Sequence, residues 1–501
     1  MSGILLSQTA AFAQYRTEKS KAEEQKTEAQ LILEEADSSE APVVITLEQA
    51  LEIALSENVS VKVADMEIQR TQYAKKGSYA SLFPQIDVTG AYQRTIKKQV
   101  MYMDFDMGSM GGALGGGEGS EGGETQLPDG VEIPDAGSGD AAAGAGVDMS
   151  GGLEVGRWNT WSAGVSAAMP LVNAQLWKSI KISGLDVELA VEKARSSRLE
   201  MVNQVKQAYF SCLLSKEAFN VYKSVYENAL ENFNQTQRKY NVQKASDLDL
   251  ARAKTALANA VPNVYNAESS VILALWQLKA VMGISLDENI DVVGELSDYS
   301  KDMLYDLGAS SELDLTNNTT MRQLAIQAEQ LATAVKTQQM AYLPSLAVSF
   351  SYSVNAMTND FNFSEYKWSP HSFVGLSLQI PIFSGGKRYH AVKQAKVQAA
   401  ELDVQKLNTE RQLKIAIRQY LNQMETAMKS FASAESALES AQKAYDIAQK
   451  SYNVGKSTLT DLNDAQLALT QAQLAQSQAV YNFLNAKAQL EQTIGQDFTA
   501  E

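Results

Sequence analysis

Residues 417–452 read IRQYLNQ-METAMKS-FASAESA-LESAQKA-YDIAQKS-Y, and every block of seven opens on an apolar residue. The rungs are Ile417, Met424, Phe431, Leu438, Tyr445 and Tyr452, and three places behind the first five stand Tyr420, Ala427, Ala434, Ala441 and Ala448. An apolar repeat of seven split three and four is the seam of packed long helices, and alanine at the second position lets their axes approach closely. The same ladder occurs 212 residues earlier as Val205, Cys212, Phe219, Tyr226, Phe233 and Tyr240. Each ladder is followed by another. One is Leu250, Leu257, Val264, Val271 and Leu278, with Ala253, Ala260, Ala267 and Ala274 behind its rungs. The other is Leu462, Leu469, Gln476, Phe483 and Leu490, with Ala465, Ala472, Ala479 and Ala486. The chain is therefore a duplicated unit of long helical hairpins.

Upstream of each hairpin the period changes from seven to two. After Pro84, Ile86, Val88, Gly90 and Tyr92 alternate with Asp87, Thr89, Ala91 and Gln93; after Pro344, Leu346, Val348, Phe350, Tyr352 and Val354 alternate with Ala347, Ser349, Ser351 and Ser353. A second strand follows in each copy. Trp161, Ala163, Val165, Ala167 and Met169 run to Pro170, and Val374, Leu376, Leu378 and Ile380 run to Pro381. These are strands with one mainly apolar face and one small, polar face, and the prolines mark where one periodicity yields to the other. Helices of about 65 residues, near 100 Å each at about 1.5 Å per residue, are expected over 176–240 and 388–452. Gly455 breaks the second, and the return helix starts near Thr458. Pro262 should kink the first return helix, which the second copy does not share. Gln476 could fix register, face a water-filled tunnel, or be solvated where the seam drifts; solvation is the expectation.

Net charge is −16 and pI about 4.8, which argues against nucleic-acid binding. Eleven Asp and Glu, with no Lys or Arg, fall between Met101 and Gly156 in a Gly-rich stretch. This stretch lacks an EF-hand or nonapeptide repeat, so a solvated loop is expected rather than a calcium site. The single cysteine, Cys212, excludes an internal disulfide and stands where a small buried hydrophobe belongs. The two histidines, His371 and His390, have no partner at ligand spacing. No catalytic, metal-binding or cofactor-binding constellation appears, and no run of apolar residues is long enough for a membrane-spanning helix. Ala11-Phe12-Ala13 before Gln14 resembles a signal-peptidase site behind a short apolar run that lacks a basic n-region, so export is expected.

These signals divide the chain into a signal remnant and flexible leader (1–43), N-terminal helices (44–83) and a first strand pair (84–170) that holds the acidic loop (101–156). The first long hairpin (171–283), a linker segment (284–316) and a helix (317–343) follow. The second strand pair (344–381), the second hairpin (382–495) and a tail (496–501) complete it. A capping box is expected at Thr46, with Gln49 at the third helical position.

Four strands cannot close a barrel alone, but several chains contributing four each can, with apolar faces toward lipid and Ser, Gly, Gln and Thr toward the lumen. Tyr92, Trp158, Trp161, Tyr352, Trp368 and Phe373 suit interfacial girdles. The plainer alternative is a soluble sheet whose apolar face packs on the helices. At the level of the whole molecule the alternatives are a soluble coiled-coil scaffold, which leaves amphipathic strands without a purpose, and a diffusion porin, which needs no long helices.

The duplication, the proline-bounded strand pairs and the turn Tyr452-Asn453-Val454-Gly455-Lys456-Ser457-Thr458-Leu459-Thr460-Asp461-Leu462-Asn463-Asp464-Ala465 resemble the TolC-like outer-membrane efflux proteins, over about residues 44–495. The first turn, Tyr240 through Asp249, resembles the family more loosely. The resemblance implies a mostly α protein with membrane β-strands, built on a duplicated β-β-α-α unit. It implies a homotrimer whose twelve strands form an outer-membrane barrel continued by a long periplasmic helical barrel. It further implies a passive exit duct for efflux or type I secretion, opened on docking to a periplasmic adaptor and an inner-membrane pump of RND or ABC type. By position, Asp461 and Asp464 would form acidic rings at the periplasmic gate, with Gly455 in the turn and Tyr452 and Asp249 as closing contacts. Three copies of two aspartates in a narrow opening should raise one another's pKa and attract cations. Either aspartate could instead serve the N-terminus of its helix. Some members carry an arginine two residues after the glycine; Ser457 stands there in this chain, so the ionic lock would be weaker or differently arranged.

Overall fold

The computed structural model describes residues 42–101, 153–304 and 315–497. Nearly all of the leader and most of the acidic loop expected from sequence lie outside the described residues.

The chain opens with β1 (Val43–Ile45), α1 (Leu47–Glu57) and α2 (Val59–Ala80), then β2 (Gln85–Arg94), β3 (Gln99–Met101), β4 (Leu153–Val155) and β5 (Asn159–Val172). The first hairpin is α3 (Ala174–Asn241) and α4 (Asp247–Met282), followed by β6 (Ile290–Val292), a 3₁₀ turn (Leu296–Leu304) and α5 (Thr319–Met340). The second copy comprises β7 (Ser345–Thr358), a short 3₁₀ turn (Phe363–Glu365), β8 (Ser369–Gln379), α6 (Lys387–Asn453) and α7 (Leu459–Ile494). The long helices have 68 and 67 residues, close to the lengths expected from the ladders. None of the described helices is long and apolar enough to cross a membrane.

These elements form two compact units. Of the described residues, one gathers 42–75, 181–304, 315–336 and 390–497; the other holds 76–101, 153–180 and 337–389. In the first, the seam alanines of α4 (Ala253, Ala260, Ala267, Ala274) are all buried, while most of its larger rungs are only half-buried. That is the signature of close helix approach. In α7 the rungs Leu462, Leu469, Phe483 and Leu490 are buried together with Ala472, Ala479 and Ala486. Gln476 is half-buried instead of fully solvated, and it borders a groove opposite Leu438, Gln442 and Lys443 of α6. α4 continues through Pro262 without interruption. Both Pro262 and Ala258, whose carbonyl loses its donor, are exposed, so water can satisfy that carbonyl.

The largest core lies where the hairpins meet α1, β1 and β6. It includes Leu51, Ile53, Tyr209, Leu213, Leu278, Ile417, Met424 and Phe483. Thr46 caps α1 through the expected box with Gln49. Cys212 is fully buried here, and desolvation pushes its thiol up to about 12, as suits a small hydrophobe. β1 and β6 pair in parallel, Val44 opposite Asp291, β1 at the boundary between the segments read from sequence as leader and N-terminal helices and β6 inside the linker. Strands of three residues carry too little alternation to be seen in a sequence. Tyr209 donates its hydroxyl proton toward the carbonyls of Val293 (2.6 Å) and Ile45 (3.2 Å), which fixes this small sheet to α3.

The second unit is built on an antiparallel sheet of order β2-β5-β7-β8. The register sets Val88 opposite Val165, Val165 opposite Tyr352 and Phe350 opposite Val374. All four apolar sets of the alternation therefore share one face, and Ser162, Ser166, Ser349, Ser351, Ser353 and Ser377 share the other. The apolar face is bare at Val88 (79% exposed), Val374 (74%) and Leu376 (68%). Tyr92, Trp158, Trp161 and Trp368 lie at the strand ends remote from the helix junctions. Two of the expected girdle residues do not. Tyr352 is in mid-strand, and Phe373 pairs with Ser351 and so belongs to the polar face. The ends of the acidic segment also differ from the expectation, since β3 and β4 pair there as a continuation of the hairpin.

Candidate functional site

The two hairpin turns are built alike. In the second, Gly455 takes a left-handed conformation (φ 78°), its N–H bonds the Tyr452 carbonyl (3.0 Å), and Lys456 N–H bonds the Ser451 carbonyl (2.8 Å). This closes the helix end on its own carbonyls. In the first turn Gln243 occupies the same conformation (φ 56°), with Gln243 N–H on Tyr240 (2.9 Å) and Lys244 N–H on Lys239 (2.7 Å). A left-handed glycine in one copy thus corresponds to a strained glutamine in the other.

Each return helix opens on a capping box. Thr458 caps α7: its backbone N–H (2.8 Å) and hydroxyl (2.8 Å) both donate to Asp461 Oδ2, and Asp461 N–H donates to Thr458 Oγ1 (3.2 Å). Ser246 caps α4 in the same way, its N–H (3.2 Å) and hydroxyl (2.7 Å) donating to Asp249 Oδ2. Donation from the Thr458 backbone and then its hydroxyl holds the Asp461 carboxyl below its ordinary range. For Asp249 the Ser246 hydroxyl leads, followed by the Ser246 backbone. Within one protomer both carboxylates are therefore ionised at neutral pH. Asp464, one turn further along α7, is exposed beside Asp461 and borders a groove of about 730 Å³ between α3, α4 and α7. Arg252 also lines this groove, and Asn228 reaches across it to Gln466 (3.3 Å).

Tyr452 is buried. Its hydroxyl meets the Thr236 hydroxyl of α3 at 2.8 Å, and Lys239 Nζ stands 4.5 Å from its ring centroid. The ring packs in a cluster with Ala253, Tyr445, Leu459, Leu462 and Leu469. Asp249, the other expected closing contact, is engaged with Ser246. Sequence reading missed Thr236 and Lys239. Thr236 stands three places behind Phe233, the position that alanine fills at Ala448 in the other copy, so a hydroxyl in a small seam position was the available signal. Ser457 donates back to the Ala448 carbonyl (3.3 Å) and so serves its own helix end. The equivalent tyrosine of the first turn, Tyr240, is partly exposed, and a hydrogen bond to Asp247 raises its hydroxyl pKa. Among the described residues no group of three His, Cys, Asp or Glu is placed to hold a metal ion.

The family model described as outer membrane efflux protein matches residues 135–284 and 311–496. Two curated relatives are similar in sequence. The alkaline protease secretion protein AprF of Pseudomonas aeruginosa is 22% identical over 241 residues, covering 48% of this chain and 49% of its own. The outer membrane protein TolC of Escherichia coli is 20% identical over 293 residues, covering 56% and 58%. The chain thus aligns with about half the length of the curated relatives it matches. The fold is similar to the CmeC outer membrane channel of Campylobacter jejuni, with TM-score 0.65 and 19% identity over 90% of this chain and 85% of that one. It is likewise similar to the outer membrane protein VceC of Vibrio cholerae, with TM-score 0.63 and 14% identity over 90% and 96%. With the family model covering well over half its length, the chain belongs to the outer membrane efflux protein family of Gram-negative bacteria.

Proposed function

We propose that three copies of this chain form a passive exit duct through the outer membrane, taking cargo from a periplasmic adaptor and an inner-membrane pump of RND or ABC type. The observation that carries the reading is the four-stranded sheet with one bare apolar face and, among the described residues, two unpaired edges, β2 and β8. Such a face costs too much in water, and such edges invite further strands. The strands have 10, 14, 14 and 11 residues, the span a tilted transmembrane strand requires. Twelve strands from three protomers would close the edges, turn the serine face to a wet lumen and leave the apolar face to lipid. The helices support a multi-chain assembly in the same way. Val397, Val404 and Ile415 of α6 and Tyr265, Ile272 and Trp276 of α4 are exposed apolar side chains that copies of the chain would cover.

In this reading the helical hairpins line a periplasmic tunnel and their turns form its gate. Asp461 and Asp464 ring the opening, Gly455 sets the turn, Tyr452 holds α6 to α3 through Thr236, and Asp249 orders the first turn. The duct performs no chemistry; the pump supplies the energy. The test is the mass and detergent requirement of the purified chain, by light scattering or native mass spectrometry. A detergent-dependent particle of three chains is expected. A water-soluble monomer or dimer would replace the duct with a coiled-coil scaffold.

A further inference from the structure

The chain is acidic, but the described part of its sheet unit is not. Residues 76–101, 153–180 and 337–389 contain nine Lys and Arg against four Asp and Glu. Four of the nine gather at one place, the tip where β2 and β5 continue toward β3 and β4. Arg94 pairs with Asn159 at the last step of the ladder, and Thr95 N–H extends the pairing to the Trp158 carbonyl (2.8 Å). Arg94 and Lys97 are exposed; Lys98 and Arg157 are half-buried. Lys98 Nζ stands 5.1 Å from the centroid of the Trp158 ring. Residues 88–101 and 155–172 contain no Asp or Glu, and the acids nearest in the fold are Glu154, opposite Val100, and Asp360, whose carbonyl accepts from Asn159.

Arg94 also continues the alternation of Ile86, Val88 and Tyr92, so it leaves the sheet on the apolar face. Along that face the order is a bare aliphatic band, then the tilted ring pair of Tyr92 and Trp161 (centroids 4.3 Å apart), then Arg94, with the other three cations just past the end of the ladder. A lipid presents the same order of chemistry: acyl chain, interfacial region, phosphate. Tryptophan favours the interface, long cationic side chains reach past it, and guanidinium groups bind phosphate oxygens in pairs.

We propose that Arg94, Lys97, Lys98 and Arg157 form a cationic rim that holds the phosphate of an outer-leaflet lipid whose acyl chains lie on the apolar face. This rests on the duct reading, which places the strand ends remote from the helices on the outer side of the membrane.

The probe is lipid A, an acylated disaccharide bearing two phosphates, added to the full-length chain purified in detergent and read by native mass spectrometry. The intact chain should retain lipid A at least tenfold better than the same glycolipid stripped of its phosphates. The triple variant Arg94→Gln, Lys97→Gln, Arg157→Gln should lose that preference at unchanged oligomeric mass. Lys178→Gln with Lys387→Gln, at the other ends of the strands, should keep it. Equal retention of the two lipids by the intact chain, or full retention by the triple variant, would overturn the rim and leave the duct standing. A chain soluble without detergent would overturn the duct itself, and the rim with it.

Discussion

Asp461 has two jobs open to it, and they move its pKa in opposite directions. As the third residue of α7 it accepts two hydrogen bonds from Thr458, which holds the carboxyl low. A carboxyl held low stabilises its turn fully above the unfolded value of about 4, and the contribution is lost as pH falls through the lower folded value. As one of three copies around an axis it would be raised by its neighbours. Cation selectivity in planar bilayers, titrated from pH 7 to 3, separates the two. A midpoint above about 4 that moves in Asp464→Asn is expected for the ring, whereas a midpoint below the ordinary carboxylate range would leave Asp461 a cap and no more.

Tyr452 makes a different argument, because its partner is neutral. Removing either hydroxyl of the Tyr452–Thr236 pair strands the other in a buried seam, at a cost of about 1–3 kcal/mol. Tyr452→Phe and Thr236→Val should each lower the thermal stability of the assembled protein, and the double variant should fall by less than their sum. Strict additivity would mean that the two hydroxyls do not act as a pair. The capping boxes were open to sequence reading, since a hydroxyl followed three places on by an acid is a local pattern. The Tyr452–Thr236 contact was not, because threonine in a small seam position looks like the alanine of the other copy until α3 and α6 are set side by side.

At the scale of elements, the hairpins and strands were legible because proline and glycine mark the places where the period changes. Their pairing was not. Alternation told which residues of each strand share a face, but only the register shows the four apolar sets falling on the same one. β1 and β6 escaped because three residues in parallel pairing leave no periodic trace. The turns offer a paired test of what the duplication conserved. Gln243 and Gly455 hold the same left-handed backbone, and a side chain at Gly455 would meet nothing within 4 Å. Any cost of a Cβ there is therefore conformational. Gly455→Ala should destabilise its turn by about 1 kcal/mol and Gln243→Gly should relieve its own by about as much, read as opposite shifts in the susceptibility of each turn to limited proteolysis. Shifts of the same sign would show that the turns are held by contacts beyond their own backbone.

At the scale of the whole molecule the decisive property is the opposition of the two sheet faces. Val374 and Leu376 are exposed on the apolar side; Ser349 and Ser377 sit on the other, across the same hydrogen-bonded strands. In water these two faces would be judged by one solvent, and a lysine would be tolerated on either. In a barrel they meet lipid and lumen, and a charge at mid-depth on the lipid side costs about 2–4 kcal/mol. Leu376→Arg should therefore sharply reduce the amount of assembled protein in the outer membrane, while Ser349→Lys should assemble normally and alter conductance. The contrast matters more than either effect alone, since Leu376→Arg and Ser349→Lys both place a long cation on the paired strands β8 and β7 of the second copy. Equal assembly of the two variants would mean that both faces are wet, and the trimeric barrel would have to be abandoned for a sheet that stands in water.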